Sequence, residues 1–383
     1  MKAIGIVAEY NPFHNGHLYQ INKIKEKYPD YAIVAVMSGN FVQRGDVSII
    51  DKFKRCEIAL NNGIDLVVEL PFVFSTQSAD MFSYGAITIL EKLGVERVIF
   101  GSEDDDIDTL ELIAKTQIEN DEFEKLVKIY SKFGKNYPTA ISCALEDLTG
   151  KKITCPNDLL GVSYIKTILK NNYNIKYETI KRTNSYHDTS IDNEICSATA
   201  IRDALKNKKD ISRNIPYSID YFDNIHLIDD YFNILKYKII TDNNLEKYVD
   251  VEEGIDNLLK KEINGARDFS LLINNIKSKR YTYNRISRML IHILCGFTKE
   301  MALKYKDITY IRILGLNDIG SKYLNGIKKE IDVPLISKVT REKDKMLEYE
   351  IETTKIYDII NNNDLVKREF DKIINIGGTY DKK

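Results

Sequence analysis

The sequence predicts an α/β fold in which a Rossmann-like parallel sheet is followed by a mainly α-helical domain. Three observations carry this prediction. Over the first two hundred residues short apolar runs alternate with amphipathic stretches, several of these runs are apolar throughout, and after about residue 207 the apolar spacing becomes mostly helical. Strands buried on both faces read as continuous apolar runs, and a repeated strand–helix–strand order produces a parallel sheet.

The first segment is predicted to contain five strands with helices between them. The predicted strands are Lys2–Ala8, Tyr31–Met37, Asp65–Leu70, Arg97–Gly101 and Lys176–Lys181. The predicted helices are 17–28, 51–62, 78–93 and 157–172, and 105–150 reads as a helical insertion after the fourth strand. These assignments rest on the period of the apolar residues.

The second segment is predicted to begin in the stretch 206–220, which contains Pro216. We therefore place a catalytic domain at 1–207 and a mainly helical domain at 208–383. Apolar residues at i, i+3, i+4, i+7 and i+8 predict a helix with one buried face over Arg285–Cys295. One strand is expected in this segment, at Ile308–Leu314.

The composition is that of a soluble globular protein. The 383 residues are 43% hydrophobic and 29% charged, and no apolar run approaches the roughly 20 residues that span a bilayer. The apolar run at the N-terminus is too short for a signal peptide, so a cytoplasmic protein without a membrane partner is expected. The five cysteines are scattered without a C-x-x-C pair, which predicts neither a disulfide framework nor a zinc site.

Charge is distributed unevenly along the chain. Residues 1–200 hold 22 Lys and Arg against 28 Asp and Glu, whereas residues 271–330 hold 12 against 4. A local basic excess is expected of a polyanion-binding surface, although a solvated helical face can produce the same excess. The basic and aromatic residues of this stretch considered as RNA contacts are Lys277, Lys279, Arg280, Tyr281, Tyr283, Arg285, Arg288, Lys322 and Lys328.

The motif His14-Asn15-Gly16-His17 follows the first predicted strand and opens the first helix. Ligands of such sheets bind outside the carboxyl ends of the strands, and a helix N-terminus offers free N–H groups to phosphate. Gly16 lets the backbone approach the ligand closely. The two histidines are predicted to lie on one side of the helix start, in a solvated cleft, and to donate hydrogen bonds to a phosphate oxygen that gains charge.

Other interpretations of these histidines remain open. A histidine at a helix start can be a cap or a packed ring, and a metal ligand is a further alternative, although no third ligand or H-E-x-x-H pattern accompanies the pair. Neither a P-loop motif nor a G-x-G-x-x-G dinucleotide fingerprint is present.

The H-x-G-H motif resembles the signature of the nucleotidyltransferase and class I synthetase superfamily, and the whole run Gly5–Leu18 resembles the tRNA(Met) cytidine acetate ligase family. Further runs extend the resemblance over most of the chain. They are Met37–Gly45, Glu69–Pro71, Phe100–Glu103, Pro156–Asp158, Lys181–Arg182, Tyr186–Asp188, Ser197–Arg202, Lys279–Thr282 and Arg285–Ile286.

The resemblance implies an ATP-dependent ligase that forms acetyl-adenylate from ATP and acetate and passes the acetyl group to the wobble cytidine of elongator tRNA(Met). His14 and His17 would stabilise the transition state, Ser197, Thr199 and Arg202 would hold pyrophosphate, and magnesium would enter only as the counter-ion of ATP. The implied ATP site comprises Val7, Ala8, Glu9, Tyr10, Asn11, Pro12, Phe13, His14, Asn15, Gly16, His17, Leu18, Tyr19, Gln20, Gly101, Asn157 and Arg182.

Structural roles compete with several of these assignments. Gly101 can serve only a turn, Asn157 can cap a helix, Arg182 can pair with a surface acid, and Ser197 and Thr199 can be helix-start residues. Two other functions also remain open. One is an adenylyltransferase that acts on a small phosphorylated acceptor, and the other is a tRNA-binding protein without catalysis.

Overall fold

The computed structural model describes residues 1–183, 190–252, 254–278, 281–340 and 344–377. Within these ranges the chain forms ten strands. They are β1 Ala3–Ala8, β2 Ala32–Ser38, β3 Phe41–Val42, β4 Asp46–Val47, β5 Leu66–Leu70, β6 Arg97–Ser102, β7 Lys176–Lys181, β8 Ile311–Asn317, β9 Leu335–Ile336 and β10 Ile374–Ile376.

The α-helices of the first segment lie between the strands and in the insertion. They are α1 Asn15–Lys27, α2 Lys52–Asn61, α3 Phe72–Ser75, α4 Ala79–Lys92, α5 Ile107–Glu119, α6 Asp121–Lys132, α7 Tyr137–Thr149, α8 Pro156–Lys170 and α9 Ala198–Lys206. The insertion at 105–150 is therefore helical, as predicted, and consists of α5, α6 and α7.

The second segment adds eight α-helices and three short 3-10 helices. The α-helices are α10 Phe232–Thr241, α11 Ile255–Glu262, α12 Phe269–Ile276, α13 Tyr283–Cys295, α14 Lys299–Lys304, α15 Asp318–Ile327, α16 Lys345–Asp358 and α17 Leu365–Glu369. The 3-10 helices are Ile219–Phe222, Ile228–Tyr231 and Leu245–Lys247. No described helix is both long and apolar enough to cross a membrane.

The predicted parallel sheet is confirmed. Its strands lie in the order β10-β8-β5-β2-β1-β6-β7, and the five strands from β5 to β7 run parallel to one another. Residues 32–38 of β2 are buried throughout, as expected for a strand covered on both faces. The order reverses at β1, because β2 lies on one side of it and β6 on the other.

The second segment also contributes to this sheet. Strand β8 pairs antiparallel with β5, and β10 and β9 pair with β8, so the strand expected at Ile308–Leu314 exists but starts and ends three residues later. The division into domains at residue 207 stays a prediction, and both segments contribute strands to the same sheet.

A buried cluster of charged side chains joins the two segments. Lys52 Nζ lies 2.6 Å from Glu69 Oε1 and 2.8 Å from Glu369 Oε1, and Arg312 also pairs with both carboxylates. Glu350 accepts a 2.6 Å hydrogen bond from the backbone N–H of Phe72. Buried charges need partners of this kind, since removing one partner leaves the other uncompensated.

Candidate nucleotide site at the carboxyl edge of the sheet

A crevice opens where the strand order reverses. Strand β1 pairs with β2 along all six residues, but its register with β6 covers only Ile4 with Arg97 and Gly5 with Val98. Beyond this point Gln20 of α1 donates a 3.3 Å hydrogen bond to the Ile99 carbonyl of β6. Open α/β sheets bind ligands at such a switch point.

The two histidines form the N-terminal cap of α1. His14 is the N-cap residue, and its Nδ1 accepts a 3.0 Å hydrogen bond from the Gly16 N–H. His17 Nδ1 accepts a 3.1 Å hydrogen bond from the His14 N–H. The two rings stack with their centroids 3.8 Å apart. The structure therefore brings both rings to one side of the helix start, as predicted.

These hydrogen bonds define the chemistry that the rings can offer. A ring nitrogen that accepts a hydrogen bond carries no proton, so the proton of each neutral imidazole is on Nε2. Burial, with repulsion from Arg182 and Arg202, lowers the pKa of His14 to about 3. Burial and the adjacent His14 lower the pKa of His17 well below its usual value. At neutral pH the pair thus provides two neutral Nε2–H donors.

The histidines are less exposed than predicted. His14 is only 5% exposed and His17 is half-buried, because the ring of His14 folds back to cap the helix. The histidines can therefore cap the helix and also donate to a phosphate. Capping uses the Nδ1 atom of each ring, and the Nε2–H group is a separate donor.

Gly16 is required by the cap itself. A Cβ atom at this position would lie 2.8 Å from Cε1 and 2.9 Å from Nδ1 of the His14 ring. Any side chain here would push the ring away from the Gly16 N–H. The sequence interpretation assigned the glycine to close approach of a ligand, whereas the structure assigns it to close approach of His14.

Two aromatic rings of the same run also pack against His17. Tyr10 lies edge-on to the His17 ring at 4.9 Å between centroids, and Phe13 lies 5.5 Å from it. Tyr10 is buried and has a positive φ of 48°, a conformation that costs a bulky residue energy. This strained turn lies between β1 and the cap of α1.

Two asparagines of the motif have structural partners. Asn11 is buried, donates to the Val47 carbonyl and accepts from the Ile49 N–H. Asn15 donates to the carbonyl oxygens of Glu194 and Arg213. The rest of the run lies along the end of β1, the turn and the first turns of α1, where Pro12 is buried and Val7, Ala8, Glu9, Leu18 and Tyr19 are half-buried.

Two predicted arginines lie close enough to the histidines to lower the pKa of His14. Arg182 follows β7 directly, and its buried Nε has no hydrogen-bond partner among the described residues. Its aliphatic chain passes Gly101, where a Cβ atom would lie 3.3 Å from Arg182 Cγ. Arg202 donates a 2.7 Å hydrogen bond to the Asn11 carbonyl. The crevice therefore has two arginines beside the histidines, and Arg202 also lies 4.0 Å from the Asp46 carboxylate.

A third arginine was missed in the sequence analysis. Arg44 lies in the turn between β3 and β4, and it interacts electrostatically with Glu9, Arg202, Arg182 and Glu103. Glu9 holds this hairpin by accepting a 2.7 Å hydrogen bond from the Gln43 N–H. In the sequence, Arg44 is marked only by its place in the run Met37–Gly45, which carries part of the family resemblance.

Asn157 is not a helix cap. It is the second residue of α8, after Pro156, and it donates to the Glu103 carboxylate. Asp158 accepts from Ser102 and from the N–H groups of Glu103 and Asp104. Glu103, Cys155 and Asp158 form the one cluster of metal-ligand type in the described part of the chain, but both carboxylates are already engaged by protein donors.

Ser197 is a helix-start residue, which is the structural alternative to a role in pyrophosphate binding. Its hydroxyl caps α9 by accepting a 3.1 Å hydrogen bond from the Ala200 N–H. Thr199 is exposed in the first turn of α9, 3.4 Å from Arg202 Nη2. A role for these residues in holding pyrophosphate stays a prediction.

The basic stretch of the second segment is placed beside the hairpin that carries Arg44. Ser287 of α13 donates a 2.6 Å hydrogen bond to the Gly45 carbonyl. Gly45 has a φ of 76°, and a Cβ atom there would lie 2.2 Å from the Arg288 backbone nitrogen. Helix α13 therefore packs directly on the hairpin.

Individual residues of this stretch differ in accessibility. Tyr281 is 6% exposed and covered by Arg285, whose guanidinium carbon is 4.5 Å from the ring centroid. The ring of Tyr281 is therefore covered, and its role as an RNA contact stays a prediction. Tyr283 is 41% exposed. Arg285 pairs with Asp250 and Glu252, and Arg288 is half-buried. The exposed lysines are Lys277, Lys322 and Lys328. Lys279 and Arg280 lie outside the described residues.

Known proteins are similar to this chain in sequence and in architecture. A family model for HIGH nucleotidyl transferases matches residues 1–372. A tRNA(Met) cytidine acetate ligase of Clostridium novyi is 41% identical over 386 residues, which cover 95% of this chain and 96% of the relative. One of Geobacillus sp. is 41% identical over 362 residues, 90% of each chain.

Solved structures agree with these sequence matches. The crystal structure of Thermotoga maritima TmcAL in its apo form has a TM-score of 0.91 and 32% identity, covering 99% of this chain and 100% of the other. The structure of the same protein bound with alpha-thio ATP has a TM-score of 0.89, 30% identity and the same coverage. The chain therefore belongs to the HIGH nucleotidyl transferase family and, within it, to the tRNA(Met) cytidine acetate ligases.

Proposed function

We propose that this protein activates acetate with ATP and transfers the acetyl group to the wobble cytidine of elongator tRNA(Met). The observation that carries the proposal is the pair of neutral Nε2–H donors at the N-terminus of α1. Two such donors at a cationic crevice suit a phosphate that gains negative charge as it is attacked. The named relatives and the ATP-analogue complex of the neighbouring structure support the choice of substrates.

The first step is adenylation. A carboxylate oxygen of acetate forms a bond to the α-phosphorus of ATP, and the bond between that phosphorus and the bridging oxygen of pyrophosphate breaks. His14 and His17 would donate to the α-phosphate oxygens. Arg182, Arg202 and Arg44 would neutralise the triphosphate and the departing pyrophosphate, since guanidinium groups match phosphate geometry.

The second step is acetyl transfer. The exocyclic amine of the cytidine attacks the carbonyl carbon of acetyl-adenylate, the bond to the AMP oxygen breaks, and the amine loses a proton. No protein nucleophile is needed, so positioning and electrostatic stabilisation would supply most of the rate. Gly101 and Asn157 lie at the ends of the elements that flank the crevice and are proposed to contact the nucleotide.

The test combines the purified protein with ATP, labelled acetate and total tRNA, followed by nucleoside analysis. We expect label in N-acetylcytidine that depends on ATP. Transfer of AMP to a small phosphorylated acceptor would favour the alternative adenylyltransferase. Binding of tRNA without any turnover of ATP would favour a non-catalytic tRNA-binding protein.

A further inference from the structure

One face of helix α6 carries an exposed row of basic and apolar side chains. Lys125, Lys128, Ile129, Lys132 and Phe133 occupy positions i, i+3, i+4, i+7 and i+8, which share one side of a helix. We call these five residues the α6 stripe. Phe133 is 79% exposed and Ile129 is 46% exposed, so two neighbouring apolar side chains of this face lie in solvent among the lysines.

The opposite face of α6 already forms the core of the insertion. Phe123 and Val127 are buried, and Leu126 and Tyr130 pack against the core. The stripe is therefore separate from the face of α6 that packs in the core. The insertion is also connected to the candidate site, because α5 contacts α8 through a 3.1 Å hydrogen bond from Lys166 to Gln117, and α8 begins beside Asn157.

Lysines dominate the stripe itself, whereas the first turn of α6 holds Asp121, Glu122 and Glu124. Residues 125–145 contain four lysines and no acidic residue, although residues 1–200 as a whole carry more acids than bases. Lys125 pairs with Glu122 at 2.8 Å, an exposed contact of little strength. For Lys128 and Lys132 no ion pair is found among the described residues. The turn after α6 adds Lys135 and the 63% exposed Tyr137.

We propose that the α6 stripe, with Tyr137, is an RNA-binding surface that contacts the tRNA substrate. The proposal rests on the proposed function and extends it to a second contact, separate from the basic stretch at 271–330. Lys128 and Lys132 would neutralise phosphates, and Phe133 and Tyr137 would stack on unpaired bases. Proteins that hold single-stranded RNA combine the same two kinds of contact.

The chemistry of the stripe favours RNA over other partners. An amphipathic helix that lies on a membrane needs a broad apolar face, whereas the exposed side of α6 offers only Ile129 and Phe133. A second copy of the chain would bring the three lysines of its own stripe to the same place, which opposes association through this surface. A polyanion with unstacked bases complements both the lysines and the aromatic rings of the stripe and Tyr137.

The test measures tRNA affinity of the full-length protein by fluorescence anisotropy at two salt concentrations. For K128E/K132E we expect a dissociation constant raised about tenfold. The slope of log K against log salt should be less steep by about 1.4 to 1.8, since each phosphate contact contributes about 0.7 to 0.9. For Phe133→Ala we expect the tRNA affinity to fall at least about fivefold, which is the lower limit for the loss of one stacked base.

Controls separate this inference from the proposed function. K345E/K355E makes the same change of charge on the exposed face of α16 and should alter tRNA affinity by no more than about twofold. Acetate-dependent pyrophosphate exchange should remain at the wild-type level in all variants. If the wild type shows neither exchange nor tRNA binding, the proposed function fails.

Several results would overturn the inference alone. One is wild-type exchange together with unchanged tRNA affinity and salt slope in K128E/K132E. Binding to vesicles of anionic phospholipid that depends on Phe133, with unchanged tRNA affinity, would assign the stripe to a membrane surface instead. Self-association that Phe133→Ala abolishes, again with unchanged tRNA affinity, would assign it to a contact between copies.

Discussion

His17 Nδ1 accepts a 3.1 Å hydrogen bond from the backbone N–H of His14, so the first residue of the H-x-G-H motif orients the ring of the last. The ring of His14 is oriented in turn by the Gly16 N–H, which donates a hydrogen bond to His14 Nδ1. In this reciprocal cap the two histidines replace the Ser or Thr and the Glu or Gln that usually form a capping box. The same contacts that begin α1 thus also direct both Nε2–H groups.

The first prediction separates the catalytic role of His14 from its capping role. His14→Ala should lower adenylate formation by about two orders of magnitude, the effect of losing one transition-state donor, and should cost about 1 kcal/mol of stability through the lost cap. His14→Asn keeps a side-chain acceptor for the Gly16 N–H but places no Nε2–H in the crevice. We expect it to regain the stability and not the activity.

Pyrophosphate exchange and thermal unfolding measure the two effects. His17→Ala should lose activity to a similar extent, because it removes the second donor. Near-normal exchange in His14→Ala or His17→Ala would refute the donor assignment, and equal melting temperatures for His14→Ala and His14→Asn would refute the cap.

The second prediction concerns acid stability. Burial lowers the folded-state pKa of His14 to about 3 and those of His226 and His292 to about 4, below the usual value of 6.5. Between these values the unfolded chain binds more protons than the folded protein, so the free energy of unfolding falls as the pH drops from about 6.5 towards 3. Denaturant titrations at a series of pH values measure it. A free energy of unfolding that rose on acidification through this window would contradict the assignment.

The third prediction concerns the buried charge cluster. Burial, with repulsion from Glu69, raises the pKa of Glu350 to about 8, so this carboxyl is protonated at neutral pH. Because its folded-state pKa exceeds its usual value of 4.5, the contribution of Glu350 to stability declines as the pH rises from about 4.5 to 8. Glu350→Gln cannot ionise but can still accept from the Phe72 N–H. Its stability relative to wild type should therefore increase across that range, as measured by denaturant unfolding at pH 5 and pH 9, and a constant difference would count against a protonated Glu350.

The five long strands and the main helices of the first segment were predictable because local patterns determine them, whereas the short elements β3, β4 and α3 were not predicted. Strand β7 has the predicted bounds, and the cap of α1 begins within the H-x-G-H motif. The antiparallel pairing of β8 with β5 was not predictable, since it depends on contacts between residues about 250 positions apart. The positions of the Arg44 and Tyr281 side chains were not predictable for the same reason. Whether an arginine faces a crevice, or a tyrosine is covered by Arg285, depends on how distant elements pack.

The fourth prediction concerns separable half-reactions. If acetyl-adenylate is an intermediate, ATP and acetate should support pyrophosphate exchange without tRNA, because the histidines and arginines of the crevice all belong to the protein. Exchange of labelled pyrophosphate into ATP measures this, with propionate in place of acetate as a control for the size of the acid. A strict requirement for tRNA would argue against a free two-step scheme, and would leave a scheme in which tRNA completes the site.

The fifth prediction concerns the basic stretch at 271–330. Helix α13 packs on the hairpin that carries Arg44, and Lys279 and Arg280 precede this helix in the sequence. Replacing Lys279 and Arg280 by Glu should weaken tRNA binding and flatten its salt dependence, because fewer counter-ions are released from phosphates. Tyr283→Ala should also weaken binding, since Tyr283 is the exposed tyrosine of the pair. ATP affinity should not change in either variant.

Tyr281→Phe is the matched control for Tyr283→Ala, because it keeps the buried ring beneath Arg285 and removes only the hydroxyl that donates to the Glu252 carbonyl. Measurements of tRNA affinity at two salt concentrations, alongside ATP affinity, distinguish the two interpretations of the basic excess. Wild-type affinity and slope in the Lys279 and Arg280 double variant would show that these charges only solvate the surface. The phosphates would then have to be held elsewhere, and the α6 stripe would be the first surface to test.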